Sequence, residues 1–205
     1  MAHHQREGDV PFVNDLEMTA RQRLSERRFR HVRGVVETAR SLAERFGASV
    51  HDAETAGWLH DMFREVKEPE MRALFAQAGL ALPPGLPQTW HGPLCAARME
   101  RDFGVTAGAA VRNAVAWHTL GHPQMDLLAQ ILYVADAVEP TREYEGVDRL
   151  REIAWRDIEE AVAVAADMSI AHLLATRREI ALQTVELRNQ IWGRGHEVRS
   201  SAHAQ

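Results

Sequence analysis

Apolar residues recur along this chain with a helical period, and that pattern admits little besides a bundle of helices. From Ser25 onward, Val32, Val35, Val36, Ala39, Leu42, Ala43 and Phe46 fall at i, i+3, i+4 spacing, and Gly47 supplies a stop. Ser49 with Asp52 three residues later reads as a capping box for a second helix through Ala53, Ala56, Gly57, Leu59 and His60. A short third helix is expected from Pro69 to Ala78, and Pro83-Pro84-Gly85-Leu86-Pro87 must be loop. Pro93 suits the first position of a fourth helix ending before Gly104, and Thr106 opens a fifth carrying Val111, Val115 and His118. Asp126 starts a sixth, through Leu128, Ile131, Leu132, Ala135 and Asp136, which Pro140 stops. From Val147 to Trp192 the pattern predicts two or three more helices with a break near Thr184. No run alternates apolar and polar residues as a strand would. The expectation is an all-α chain: one helical bundle over residues 15–205, preceded by a flexible N-terminal arm over residues 1–14.

Composition narrows the function classes. With 205 residues, 45% of them hydrophobic, a core can form without a disulfide or a partner. A formal charge of −5 argues against a dedicated nucleic-acid binder, which usually carries a net basic face. Cys95 stands alone, so a reducing cytoplasm is the simplest home. No stretch reaches the roughly 18 apolar residues of a membrane span, and the polar start lacks the apolar centre of a secretory signal.

Eleven histidines raise the question of metal chemistry. Chance would give about 0.5 His-Asp pairs at this composition, and the chain has two, so the dipeptide alone means little. Position separates them. His51-Asp52 lies at a helix start, where Asp52 has a capping job and His51 is solvated. His60-Asp61 closes a helix whose Ala53, Ala56 and Gly57 let a neighbour approach closely, so both side chains can reach a site at the helix end. His31 sits on the flank of the first apolar stripe, where a lone histidine is most often satisfied by a backbone carbonyl. Asp136 follows Ile131-Leu132-Tyr133-Val134-Ala135 and is costly to bury unless an arginine or a cation faces it. Together His31, His60, Asp61 and Asp136 make a two-nitrogen, two-oxygen set from three helices. Such a set suits iron, manganese, zinc or nickel better than magnesium. An ion held that way can activate water and polarise a phosphoryl group.

The order His31, His60-Asp61, Asp136 resembles the H…HD…D signature of HD-superfamily phosphohydrolases. The segments around it carry the likeness further. Gly57-Trp58-Leu59-His60-Asp61-Met62-Phe63-Arg64, Trp90-His91-Gly92-Pro93, Trp117-His118-Thr119 and Ala135-Asp136-Ala137-Val138-Glu139-Pro140-Thr141-Arg142 look like the YqeK-like branch, as does the later Thr184-Val185-Glu186-Leu187-Arg188-Asn189. That branch contains bacterial symmetrical bis(5′-nucleosyl)-tetraphosphatases, and the resemblance runs from about Leu24 to Asn189.

The resemblance implies an HD-domain bundle with its metal site between core helices. His31, His60, Asp61 and Asp136 would hold a divalent ion, iron first, with manganese, cobalt, nickel or magnesium as alternatives. His91 and His118 would line the phosphate side and, with Asp61, take part in catalysis. Arg28, Arg64 and Arg142 would neutralise the polyphosphate, in keeping with arginine's planar fork, and Thr119 and Thr184 would touch nucleotide. Arg64 stands where lysine is common, and Leu182-Gln183 replaces a usual proline before Thr184. The implied reaction is metal-dependent cleavage of diadenosine tetraphosphate, or a related dinucleoside polyphosphate, to two ADP. Alternatives are another HD-type nucleotide phosphohydrolase or phosphodiesterase, or a non-catalytic nucleotide sensor. The apolar stretch from Ala161 to Leu174 suggests a homodimer, and no membrane or nucleic-acid partner is expected. Trp90 and Trp117 read as core packing.

Overall fold

A computed structural model of the chain describes residues 13–202, with side chains described for residues 15–194. The described residues form ten α-helices and no strand: α1 Val13–Arg23, α2 Glu26–Phe46, α3 Val50–Leu59, α4 Glu68–Gln77, α5 His91–Phe103, α6 Ala109–Trp117, α7 Leu127–Val138, α8 Val147–Arg156, α9 Ile158–Ala175 and α10 Leu182–Ala202. A single 3-10 turn, Pro87–Thr89, precedes α5. The expected all-α bundle is what the chain forms. The proposed arm lies outside the described residues except for Val13 and Asn14, which already belong to α1.

Local chemistry sets most boundaries. The Ser25 side chain accepts from the Arg28 backbone N–H at the start of α2, and Gly47, at φ 75°, ends that helix in the left-handed conformation. Ser49 and Asp126 cap α3 and α7 in the same way. α2 and α7 form the centre of the bundle. α2 packs on α3 and α7, while α7 also meets α6 and α9. Val32, Val35, Ala39, Leu42 and Ala43 of α2 and Ile131, Leu132, Val134 and Ala135 of α7 are essentially solvent-free. The α2–α3 contact is close because Gly57 lies over Val36. A Cβ on Gly57 would stand 2.9 Å from a Val36 methyl and 3.1 Å from its Cα. The small-residue face expected for α3 therefore does bring a neighbour close.

Four expectations need correction. α1 was not foreseen; only Leu16, Ala20 and Leu24 mark its narrow buried stripe amid polar residues. α5 begins at His91, and Pro93 is its third residue, a place where its missing N–H has no intrahelical partner to lose. α6 begins at Ala109 behind Gly108, not at Thr106. The late break falls at residues 176–181, and Thr184 is inside α10. Arg177 turns the chain there at φ 54°, a conformation no glycine announced.

The first half of the apolar run of α9 is consumed inside the fold. Ala161, Val162, Ala163, Ala165 and Ala166 are buried, with α7, α8 and α10 packed against that helix, while Ala171 and Leu174 near its end stay exposed, so the surface left for a second copy is that last part. Among the described residues no helix is long and apolar enough to cross a membrane.

Candidate metal centre

Three helix ends converge on one point. α2 contributes His31 from its second turn, the end of α3 contributes His60 and Asp61, and the last turn of α7 contributes Asp136. The His31 Nε2 lies 3.2 Å from an Asp136 carboxylate oxygen and 3.6 Å from Asp61 Oδ2, and the His60 Nε2 lies 3.5 Å from that same Asp61 oxygen. Ligand atoms of His31, His60 and Asp136 all fall within 4.8 Å of one another, as do those of His60, Asp61 and His118. The sequence set is therefore assembled in space.

The imidazoles are oriented alike. His60 Nδ1 donates to the Gly57 carbonyl at 2.6 Å, His118 Nδ1 to the Val115 carbonyl at 2.8 Å, and His91 Nδ1 to the Gln88 carbonyl at 3.0 Å. His31 Nδ1 faces the Glu139 carboxylate at 3.0 Å. Each Nδ1 thus carries a proton and each Nε2 points inward, as a lone pair on His60, His91 and His118 and, on His31, as a nitrogen whose proton toward Asp136 a cation would displace, the arrangement usual for metal-binding histidines. His60 decides whether a cation fits. It is fully buried, and its Nε2 has no hydrogen-bond partner. A buried acceptor without a partner costs about 1–3 kcal/mol, and a cation bound among these nitrogens and carboxylates removes that cost. His91 Nε2 and His118 Nε2 also face each other at 3.0 Å, with the Thr119 hydroxyl 3.3 and 3.1 Å away, so at most one of the two lone pairs is served by that hydroxyl proton.

Electrostatics agree. Burial pushes the His118 imidazole down to about 4, and burial likewise lowers His60 and His91, so these rings stay neutral and ready to donate lone pairs. Burial pushes His31 down too, but hydrogen bonds to Asp136 and Glu139 more than offset it and leave it raised. Asp61 and Asp136 lose water on burial, yet facing histidines, and Arg142 beside Asp136, hold both well below the usual carboxylate range. Arg28 meets Asp61 at 2.8 Å and Arg142 meets Asp136 at 2.5 Å. The plain arginine partner that an Asp in an apolar run calls for is thus present, alongside the histidines. Counting Glu139, three carboxylates face two guanidiniums, and a dication would leave the centre positive, as an anionic phosphate chain requires.

The remaining expected residues divide. Thr119 and His118 line a cavity of about 720 Å³ that also reaches Asp136 and Arg142. Arg64 and His91 line another of about 200 Å³. Thr184 does not join them. It is buried, and its hydroxyl donates to the Leu120 carbonyl at 2.8 Å, anchoring α10 to the turn after α6. His51 is exposed, as expected of the second His-Asp pair. Trp90 packs edge-on against Phe75 in the core, while the half-buried Trp117 stacks on His122. Sequence reasoning assigned no role to Glu139, which is solvent-free and also accepts from the Thr141 hydroxyl and backbone N–H. The cost of burying a carboxylate, applied to Asp136, applies three residues later as well.

The family follows from comparison. The HD domain model matches residues 28–141, which include all four proposed ligands. This chain belongs to the HD-domain family. It is 35% identical to a symmetrical bis(5′-nucleosyl)-tetraphosphatase of Bacillus subtilis (strain 168), over 78% of this chain and 87% of the relative. It is 33% identical to a protein of the same description from Halalkalibacterium halodurans, over 82% and 90%. Its fold matches that of a Clostridium acetobutylicum HD superfamily hydrolase, described as involved in NAD metabolism. The TM-score is 0.83 at 29% identity, covering 88% of this chain and 97% of that one.

Proposed function

We propose that this HD-domain protein is a metal-dependent symmetrical bis(5′-nucleosyl)-tetraphosphatase that cleaves diadenosine tetraphosphate to two ADP. The observation that carries this is the unpartnered His60 Nε2 inside a His31-His60-Asp61-Asp136 cluster opening on cavities, in a chain similar over most of its length to such enzymes. These four residues would hold the ion, which supplies Lewis acidity and an activated water when bound. Iron is the metal proposed, with manganese, cobalt, nickel or magnesium as alternatives; the nitrogen-oxygen donor set favours the transition metals.

The chain's own residues divide the remaining work. Arg28 and Arg142 each hold a ligand carboxylate and keep further donors for phosphate oxygens. Arg64 extends positive charge toward His91. His91 and His118, neutral with inward Nε2 lone pairs, are placed to accept a proton from the attacking water rather than to deliver one, and Thr119 bridges them. Asp61, facing Arg28, His60, His91 and His118, orients them together. We place the protein in the cytoplasm, free of nucleic acid and of membrane.

Product analysis tests this. Protein loaded with iron or manganese should convert diadenosine tetraphosphate to ADP alone. Comparable ATP and AMP, or no turnover under either metal, would overturn the proposal.

A further inference from the structure

The substrate has two identical halves, but the cavities that meet at the centre are chemically unlike. The larger, about 720 Å³, has an apolar wall: Ala165, Met168, Ala171 and Ala175 form one stripe along α9, and Tyr144 and His172 add aromatic faces. That volume lies within the roughly 300–1,000 Å³ of clefts that enclose small ligands, and such walls suit a nucleoside base. The second cavity, about 290 Å³, is walled by Arg27, Arg28, Arg30, His31, Thr141 and Arg142, with the buried Glu139 behind His31. It offers no apolar or aromatic face apart from His31, which is engaged at the centre. Among the described residues no ion pair engages Arg27 or Arg30, so their donors stay open. Arg142 alone lines both cavities, so its guanidinium stands where they join, beside Asp136.

We propose that the two ADP halves occupy unlike subsites, one read through its base and the other through its phosphates alone. The first lays its nucleoside against Tyr144, Met168 and His172. The second is gripped by Arg27, Arg28 and Arg30, with its nucleoside outside the cavity. This rests on the dinucleotide hydrolysis proposed above. Arg27 and Arg30, both exposed on α2, become substrate contacts. Hydrolysis places the water oxygen on one of the two central phosphorus atoms and breaks that atom's bond to the bridging oxygen. The other half leaves with the bridging oxygen. Unlike subsites therefore fix which half receives the water oxygen.

A substrate with one base tests this: a tetraphosphate carrying adenosine at one end and bare ribose at the other, hydrolysed in ¹⁸O-water by the metal-loaded protein. Mass spectrometry of the ADP and ribose diphosphate products reads the label. The base should take the larger cavity and put the label on one product in at least about tenfold excess, the discrimination an apolar pocket commonly gives. Equal labelling of both products overturns the inference. A Tyr144→Ala, Met168→Ala double variant should bring the ratio toward unity. An Arg27→Ala, Arg30→Ala double variant should raise KM several-fold and leave the ratio in place, and an unchanged KM would overturn the phosphate subsite. The wild-type labelling stands alone should the first variant fail to fold. Failure of the underlying function looks different: diadenosine tetraphosphate itself would then be uncleaved, or would give ATP and AMP.

Discussion

The Glu139 carboxylate faces His31 Nδ1 at 3.0 Å from a position with no solvent exposure, so the first proposed ligand of the centre is held from behind by an acid the solvent never reaches. The contact fixes the ring's tautomer and aims Nε2 at Asp136 and Asp61. Room for it comes from Gly34 on α2, where a Cβ would stand 2.6 Å from the second Glu139 oxygen.

Glu139→Gln keeps the shape but weakens the hold on His31. Metal retention against a chelator should fall by about 10–100-fold, the usual cost of losing such a support, with the helical circular dichroism unchanged. Gly34→Ala should give the same phenotype by pushing Glu139 aside. Retention equal to wild type in both variants would remove Glu139 from the metal's support.

Removing a ligand is a harsher change. His60→Ala or Asp136→Ala should abolish stable metal binding, because the three remaining groups leave the ion open and unbalance the facing charges. His51→Ala, changing an exposed side chain, should bind metal normally. Elemental analysis separates these outcomes, and unchanged metal in the first two variants would sink the assignment.

Acid should destabilise the metal-free protein early. His118, near 4 when folded, titrates near 6.5 when unfolded, so between those values the unfolded chain binds the extra proton and stability falls with pH. His60 and His91 are lowered in the same sense. His31 is raised and works the opposite way: its contribution is full in acid and fades as pH rises through its folded value. Asp61 and Asp136 add a further loss only below the ordinary carboxylate range. The net is one sign, at about 1.4 kcal/mol per pH unit for each uncompensated proton. Urea unfolding of chelator-treated protein should show a lower midpoint at pH 5 than at pH 7. Equal midpoints would mean that the buried histidines are not neutral.

How much of this was legible in the sequence depends on what each residue had to signal. Asp136 announced itself because a carboxylate in an apolar helix demands a partner, and two were found, Arg142 and His31. His60-Asp61 was separable from His51-Asp52 because the helix carrying it is lined with small residues. His91 and His118 came from motif resemblance alone; only folding brings α5 and the end of α6 to 3.0 Å across the site. Glu139 was hidden by its neighbours, since an acid before Pro140 reads as a solvated helix end. Thr184 was misplaced because the turn before it uses Arg177 in a left-handed conformation, leaving the helix boundary without a glycine to mark it. The walls of the larger cavity had no sequence signal: Met168 and Tyr144 come to line one cavity only through tertiary packing.

The close approach of α2 and α3 ties stability to the metal centre, and Gly57 is where both can be tested. It touches Val36 of α2, and its carbonyl accepts the Nδ1 proton of His60 one turn on. In Gly57→Ala the new methyl meets Val36 Cγ2 at 2.9 Å and Val36 Cα at 3.1 Å. The first contact is relieved by a rotamer change, but the second is backbone, so the helices must part by a few tenths of an ångström. Overpacking of this kind costs about 1–3 kcal/mol. Parting the helices also moves His60, carried by α3, away from His31, carried by α2. Gly57→Ala should therefore lose both thermal stability and metal affinity. Gly193→Ala on α10, where a Cβ meets nothing within 4 Å, is the control. It should gain up to about 1 kcal/mol from helix propensity and bind metal unchanged. A Gly57→Ala protein that melts lower yet retains metal like wild type would show that the ligand geometry does not depend on the α2–α3 spacing.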